Sequence, residues 1–238
     1  ETVRAELGQE LVTYDHLGHV SEKLRGFNDR GRAVIPGTLH RVSQILSADG
    51  TLVGLTMRCG RHAPGCLAPL EDLLGKKSIL FLGRPGVGKT TLLREAAALL
   101  SREFNVVIVD KSNEIAGEGD KEHKCVGIAR RLAVSSKSGD QGSMLIQAAE
   151  NHTPDVIVVD ELSNAREVRA AKNDVSMRGV RLVCTCHGES LEQLVSSNER
   201  NGLVGGVHDV VLGGSDKRYK GARKTVRERI EDPSVDVI

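Results

Sequence analysis

The nine residues Gly83-Arg84-Pro85-Gly86-Val87-Gly88-Lys89-Thr90-Thr91 bring together three glycines, a lysine and two adjacent hydroxyls. Their spacing, GxxxxGK[ST], is that of a loop that wraps phosphates. Glycine tolerates the backbone angles such a wrap needs, so successive N–H groups can turn inward toward phosphate oxygens. Lys89 carries the charge expected at the β- and γ-phosphates, and the Thr90 hydroxyl is the expected Mg²⁺ ligand. Thr91 completes the turn with no ligand assigned to it. Downstream, Asp160-Glu161 follow four apolar residues, Val156-Ile157-Val158-Val159. This is a Walker B pattern: Asp160 holds Mg²⁺ through its water shell, and Glu161 orients and deprotonates the attacking water. Two further candidates are Glu114, in Val109-Asp110-Lys111-Ser112-Asn113-Glu114-Ile115, and His187, in Cys184-Thr185-Cys186-His187-Gly188. An imidazole on a strand-following loop can hydrogen-bond a γ-phosphate or couple its loss to a neighbour. A guanine-reading Asn-Lys-x-Asp motif is absent, Asp110-Lys111-Ser112-Asn113 being a scrambled version, so ATP is the expected nucleotide.

These residues need elements to hold them. Ser78-Ile79-Leu80-Phe81-Leu82 reads as a strand entering the loop, and Leu92 to Leu100 as the helix leaving it. Asn105 to Val109 is a near-continuous β-branched run, as in a strand buried on both faces of a parallel sheet. The pattern then predicts a helix over Met144–Asn151, a strand over Val156–Val159 and a helix over Asn164–Met177. A strand over Val180–Cys184, a helix over Ser190–Ser197 and a strand over Val207–Leu212 follow. Alternation of this kind implies an α/β P-loop NTPase fold: a RecA-like parallel sheet flanked by helices, with right-handed crossovers. Ligands of such sheets sit at the carboxyl ends of the strands. Gly83, Asp110, Asp160 and Thr185 all follow strands and should converge there. Residues Ala116–Lys124 and Ser135–Ser143 are polar, glycine-bearing and expected to be mobile.

Residues 1–66 read as a small N-terminal α+β domain and 67–238 as the P-loop domain. Leu7, Leu11 and Tyr14 share one helical face, and His16–Leu24 suits a second short helix. Thr38–Leu46 and Thr51–Met57 make a hairpin about Ser47-Ala48-Asp49-Gly50. Cys59 to Cys66 carries the breakers of a linker. Pro69 to Leu74 is expected as a short helix with Gly75 as its cap.

A formal charge of +1 gives no global attraction to nucleic acid or membrane, and three Phe, two Tyr and no Trp leave no base-stacking platform. No apolar run is long enough for a spanning helix, and residue 1 opens no signal or transit pattern. Five cysteines suggest reduced thiols. Cys184-Thr185-Cys186-His187, even with Cys59 and Cys66, lacks the spacing of a structural zinc pair, and buried small residues explain it better.

The run Gly83–Thr91, then Ser112 to Asp120, Gly127-Ile-Ala-Arg-Arg131, Glu150 to Glu161 and Lys224 to Arg229 together resemble one family. It is the P-loop ATPases encoded in cyanobacteria and plastids, similar to sporulation stage III protein AA. The likeness reaches Thr38-Leu-His-Arg-Val-Ser43 and Gly54-Leu-Thr56, and so covers roughly residues 30–230. The layout is more distantly similar to hexameric type II and type IV secretion ATPases. Those have an aspartate box with a catalytic glutamate, a Walker B element and a histidine box, and Glu114, Glu161 and His187 occupy the matching positions. Family members often continue into a C-terminal module that binds single-stranded nucleic acid. Lys111, the segment Leu162–Arg166, and Cys184 and Cys186 depart from the family pattern.

The resemblance implies ATP and Mg²⁺ as ligands and a plastid or mitochondrial matrix or stroma, or a bacterial cytoplasm, as the location. It also implies a ring of identical subunits, in which Arg130 and Arg131, then Arg58 and Arg61, are candidate cations for a neighbour's site. The basic segment 217–229 is either a solvated face or a contact to RNA or a ribonucleoprotein. Two readings stay open: an ATP-hydrolysing machine that remodels a macromolecular partner, and a nucleotide-bound assembly factor that turns over little.

Overall fold

The computed structural model describes residues 8, 10–24, 26–28, 31–35, 37–117, 121–134, 140–211 and 225–238. Leu7, Leu212, the centres of both polar loops and residues 217–224 of the basic segment lie outside these. The chain divides into two compact units. One runs to Arg61 and also includes Gly117 and Lys121; the other runs from His62.

In the first unit α1 (Tyr14–Lys23) spans most of the second short helix expected, and the start of the face that includes Leu7 lies outside the described residues. Thr13 caps it by accepting the N–H of His16. Leu11 and Tyr14 are exposed, and Leu17 is the residue α1 buries. Three antiparallel strands follow, β1 (Arg32–Val34), β2 (Arg41–Leu46) and β3 (Leu52–Arg58), in the order β1-β2-β3. The hairpin turn forms as the Asp-Gly pair predicts: Gly50 has φ +85° and donates its N–H to Ser47, while Asp49 accepts the N–H of Thr51. Leu24, Ala33 and Val42 make a small core with Val20, Phe27 and Leu55. Strand β1 was not anticipated; three residues are too few to show a period.

The second unit is a five-stranded parallel sheet in the order β4-β8-β7-β5-β6. Its strands are β4 (Ile79–Gly83), β5 (Val106–Asp110), β6 (Arg130–Ala133), β7 (Val156–Val159) and β8 (Arg181–His187). Every residue of β5 and β7 is buried, as a double-faced strand requires. The helices are α2 (Lys89–Leu100), α3 (Gln141–Asn151), α4 (Ala165–Ala170) and α5 (Leu191–Ser196). The core joins Val107, Val109, Leu145, Ile157, Val159, Leu162, Leu182, Cys184 and Cys186. Both cysteines are fully buried within it.

Several elements differ from expectation. Strand β8 continues three residues past Cys184, because β4 pairs with it all the way to Gly83↔His187. The helix expected over 164–177 is α4 only to Ala170. It then widens into a π turn over Ala171–Val175 and a tight turn over Ser176–Arg178, closed by Gly179 at φ +79°. Around Pro69 there is one 3₁₀ turn, Ala68–Leu70, in place of a helix, although Gly75 does adopt φ +73°. Strand β9 (Val207–Val211) does not join the parallel sheet. It pairs antiparallel with β10 (Thr225–Arg229) as a separate ribbon. His208 and Asp209 are exposed on it, which a strand covered on both faces could not accommodate. Strand β6 was missed because its Arg-Arg-Leu-Ala has no apolar run; charged residues suit the edge it occupies. The opposite edge, β4, is covered by the chain's last residues, Leu80 donating to the carbonyl of Val237 at 2.9 Å.

Candidate nucleotide site

Parallel strands that end together place their next residues together. The register Gly83↔His187, with Val159 beside Cys184 and Val109 beside Val159, brings the first loop glycine, Asp160 and His187 to one edge. Gly88 starts α2 from φ +101°, a conformation in which a β-carbon would be strained. Gly86 is similarly turned at φ +81°. Arg84, Pro85, Gly86 and Val87 are exposed, and Arg84 Nε pairs with Glu189 Oε1 at 3.0 Å. Thr91, one turn into α2, is half-buried.

Lys89 is only 7% exposed. Its Nζ donates to the carbonyls of Gly83 at 2.7 Å and Arg84 at 2.9 Å, and lies 3.1 Å from His187 Nδ1. An ammonium can only donate, so Nδ1 is the acceptor and Nε2 carries the imidazole proton. That Nε2 lies 3.5 Å from Glu161 Oε1. One imidazole therefore links the loop lysine to Glu161. Thr90 Oγ1 donates to Asp160 Oδ2 at 2.8 Å. Thr185 Oγ1 donates to Asp160 Oδ1 at 2.5 Å and accepts the N–H of Glu161 at 2.8 Å. Thr185 was read as a strand-end residue without a task; its two contacts depend on β7 and β8 being neighbours, which no local pattern reveals.

Glu114 is held differently. Asp110, fully buried, accepts the N–H groups of Glu114, Ile115 and Ala116, each at 3.0 Å. From the other side Arg94 of α2 donates to the carbonyls of Glu114 and Ile115. Burial pulls the Arg94 pKa below its usual value, opposed by Cys125, Glu114, Asp110 and Asp160. The backbone carrying Glu114 is thus clamped as far as Ala116, the first residue of the stretch expected to be mobile. Lys111, one of the departures, pairs at 3.1 Å with Glu167, whose other oxygen takes the N–H of Ser163. Its charge is met by the residue that directly follows the next departing segment, Leu162–Arg166, and bonds back to it. Arg94 and Glu167 carry no individual signal in the sequence beyond being charged residues at helix positions, and Asp110 none beyond ending a strand at the expected ligand edge.

The residues fit a nucleotide and a hard divalent cation. Turned glycines lead into a helix N-terminus with one ammonium beside them, and the hydroxyl and carboxylate of Thr90 and Asp160 form an all-oxygen pair. Residues 79–188 match the ATPase family associated with various cellular activities (AAA). The protein ycf45 of Cyanidium caldarium is 40% identical over 226 residues, covering 94% of this chain and 67% of that protein. The chain belongs to the ycf45 family. Protein SEEDLING PLASTID DEVELOPMENT 1 of Arabidopsis thaliana is 39% identical over 96% of the chain, which spans only 34% of that relative's length. Stage III sporulation protein AA of Bacillus subtilis is 29% identical over 66% of the chain and 56% of its own length. Among solved structures, the ATPase DotB of Legionella pneumophila aligns at a TM-score of 0.47 with 18% identity, over 79% of this chain and 56% of that one. The ATPase family model over residues 79–188 and the strand, glycine loop and helix of Gly83–Thr91 support a nucleotide-binding P-loop protein of an ATPase family. Among the described residues, no helix is long and apolar enough to cross a membrane.

Proposed function

We propose that this ycf45-family chain hydrolyses ATP, and that it acts within a plastid on a macromolecular partner. The observation that carries the hydrolytic reading is the line Lys89–His187–Glu161 beside the Thr90–Asp160 pair. In this reading Gly83 to Thr91 receive the phosphates, with Lys89 opposing their charge. Thr90 and Asp160 hold Mg²⁺, which when bound supplies charge neutralisation on the phosphate oxygens. Glu161 orients the attacking water and takes its proton, and His187 keeps that carboxylate in line with the loop lysine. Glu114, on its clamped loop, has the assisting role. The plastid setting is supported by the name of the Arabidopsis relative. Assembly as a ring belongs to the same proposal and is supported only by the layout shared with secretion ATPases.

Clamping of the Glu114 backbone and pairing of Lys111 favour a second reading, a nucleotide-bound assembly factor with slow turnover. Single-turnover hydrolysis at saturating ATP and Mg²⁺ tests the first. Glu161→Gln is expected to bind ATP normally and to lose on the order of 10²-fold or more in rate. Glu114→Gln is expected to lose less in basal rate but to lose any stimulation by a partner. A dead Glu114→Gln beside a mild Glu161→Gln reverses the assignment. Wild-type chain that binds ATP and fails to turn it over supports the assembly factor.

A further inference from the structure

Gln141 is the first residue of α3 and is fully buried. Its Nε2 donates to the carbonyl of Asp160 at 2.9 Å and to that of Glu161 at 3.4 Å. Two carbonyl acceptors fix the orientation of the amide, since only its nitrogen can donate to them. Among the described residues its Oε1 is buried with no hydrogen-bond partner. A buried acceptor left unpaired is costly, and an apolar side chain of equal length would avoid that cost. The position is therefore explained by the donor it provides.

That donor meets an unusual backbone. Glu161 has φ +54°, the left-handed region, without being glycine or asparagine. Such a conformation persists only where its surroundings hold it. Thr185 Oγ1 takes the N–H of Glu161 from β8, and Gln141 takes the carbonyls of Asp160 and Glu161 from α3. The turn that aims the Glu161 carboxylate at His187 is gripped from both sides.

We propose that Gln141 is a positioning residue for Glu161, its side-chain amide holding the Asp160–Glu161 turn in the conformation that keeps the carboxylate beside His187. The proposal rests on the reading of Glu161 as the water-orienting carboxylate. Gln141 acts only through main-chain carbonyls. Without its N–H groups the turn relaxes out of the left-handed region and the carboxylate swings from its line with His187.

Gln141→Met keeps the length of the side chain and removes donor and unpaired acceptor together, so melting is expected to shift by only a few degrees. Affinity for a non-hydrolysable ATP analogue and KM should stay within about threefold, while single-turnover hydrolysis falls at least about tenfold. On a Glu161→Gln background the same substitution should cost less than about twofold, because both changes act through one carboxylate. Gln141→Glu gives a second readout. Only its protonated form can donate to a carbonyl, and burial raises a carboxyl pKa. Its rate relative to wild type should therefore climb as pH falls from about 8 to about 6. Full turnover by Gln141→Met, or an equal loss in both backgrounds, overturns the proposal. Should Gln141→Met fail to fold, the pH dependence of Gln141→Glu decides, and a flat ratio to wild type overturns it. Normal turnover by Glu161→Gln removes the reading of Glu161 itself. An inactive Glu161→Gln beside a fully active Gln141→Met removes only the part given to Gln141.

Discussion

Asp110 ends a strand with no exposed residue, and its carboxylate takes three N–H groups from the loop that carries Glu114. Burial pushes its pKa up from 3.8 to about 6; the three N–H donors pull against that, and the charge of Asp160 adds to it. The sign of the consequence follows from the two states. Below about pH 4 the carboxyl is protonated whether the chain is folded or not, and folding gains the full benefit of the raised pKa. Between about pH 4 and 6 the unfolded chain ionises first, and the benefit is lost as pH rises through the folded value. A displacement of roughly two pH units corresponds to about 3 kcal/mol. Urea unfolding of wild type and Asp110→Asn between pH 4 and 7.5 should show wild type losing about 2–3 kcal/mol relative to the variant as pH rises. A constant difference across that range counts against an ionisable Asp110 in the folded core. Asp110 was legible as a strand-ending acid. Its task as an acceptor for three amides was not, because the loop conformation that presents them appears only in three dimensions.

At the scale of elements, the β9–β10 ribbon is where tertiary context most changed the expected outcome. Its entry is Gly205, at φ +93°, where a β-carbon would stand 2.1 Å from the carbonyl oxygen of Glu231. That oxygen accepts no side-chain rearrangement as a remedy, since it belongs to backbone bonded to Gly205 itself through the N–H of Glu231 at 3.0 Å. Gly205→Ala combines a left-handed alanine, roughly 1–2 kcal/mol, with a forced backbone displacement. It is expected to destabilise the chain by about 2–4 kcal/mol in all. Hydrogen exchange should locate the effect: amides of Val207–Val211 and Thr225–Arg229 should speed up while those of β5 and β7 stay protected. Uniform loss of protection would mean that the ribbon is not a separate element energetically. In the described part of the basic run Arg227 is engaged within the chain: its Nη1 donates to Ser196 Oγ at 3.3 Å and its Nε lies 3.6 Å from Asp209.

For the whole molecule, the proposed ring needs a cation from a neighbouring subunit. Arg130, one of the first candidates, is already engaged within its own chain. It opens β6, at the end of the strands remote from Gly83, and its guanidinium donates to Asn105 Oδ1 at 2.7 Å and the His152 carbonyl at 2.8 Å. Arg131, Arg58 and Arg61 remain to be tested by substitution. Sedimentation with a non-hydrolysable ATP analogue at tens of micromolar should find an assembly larger than a dimer. A monomer under those conditions moves weight to the assembly-factor reading, which requires no neighbour.

From sequence alone the nucleotide-binding class was determined. The glycine spacing, the lysine and the two following hydroxyls are a local pattern whose physics is complete within nine residues and the strand and helix that flank them. The parallel sheet was equally legible, because a strand covered on both faces must be apolar throughout, as Val106 to Val109 and Val156 to Val159 are. The tertiary structure alone decided which residues hold Glu114 and Glu161. Asp110 and Arg94 clamp one, and Thr185 and Gln141 grip the other; Asp110 acts through the turn that follows it, and the other three act across 19 to 24 residues of sequence that no periodicity spans. It also decided that Val207–Val211 leaves the sheet for a ribbon. Strand partners are chosen by which faces remain to be covered once the core has formed, and a segment's own residues do not record that choice.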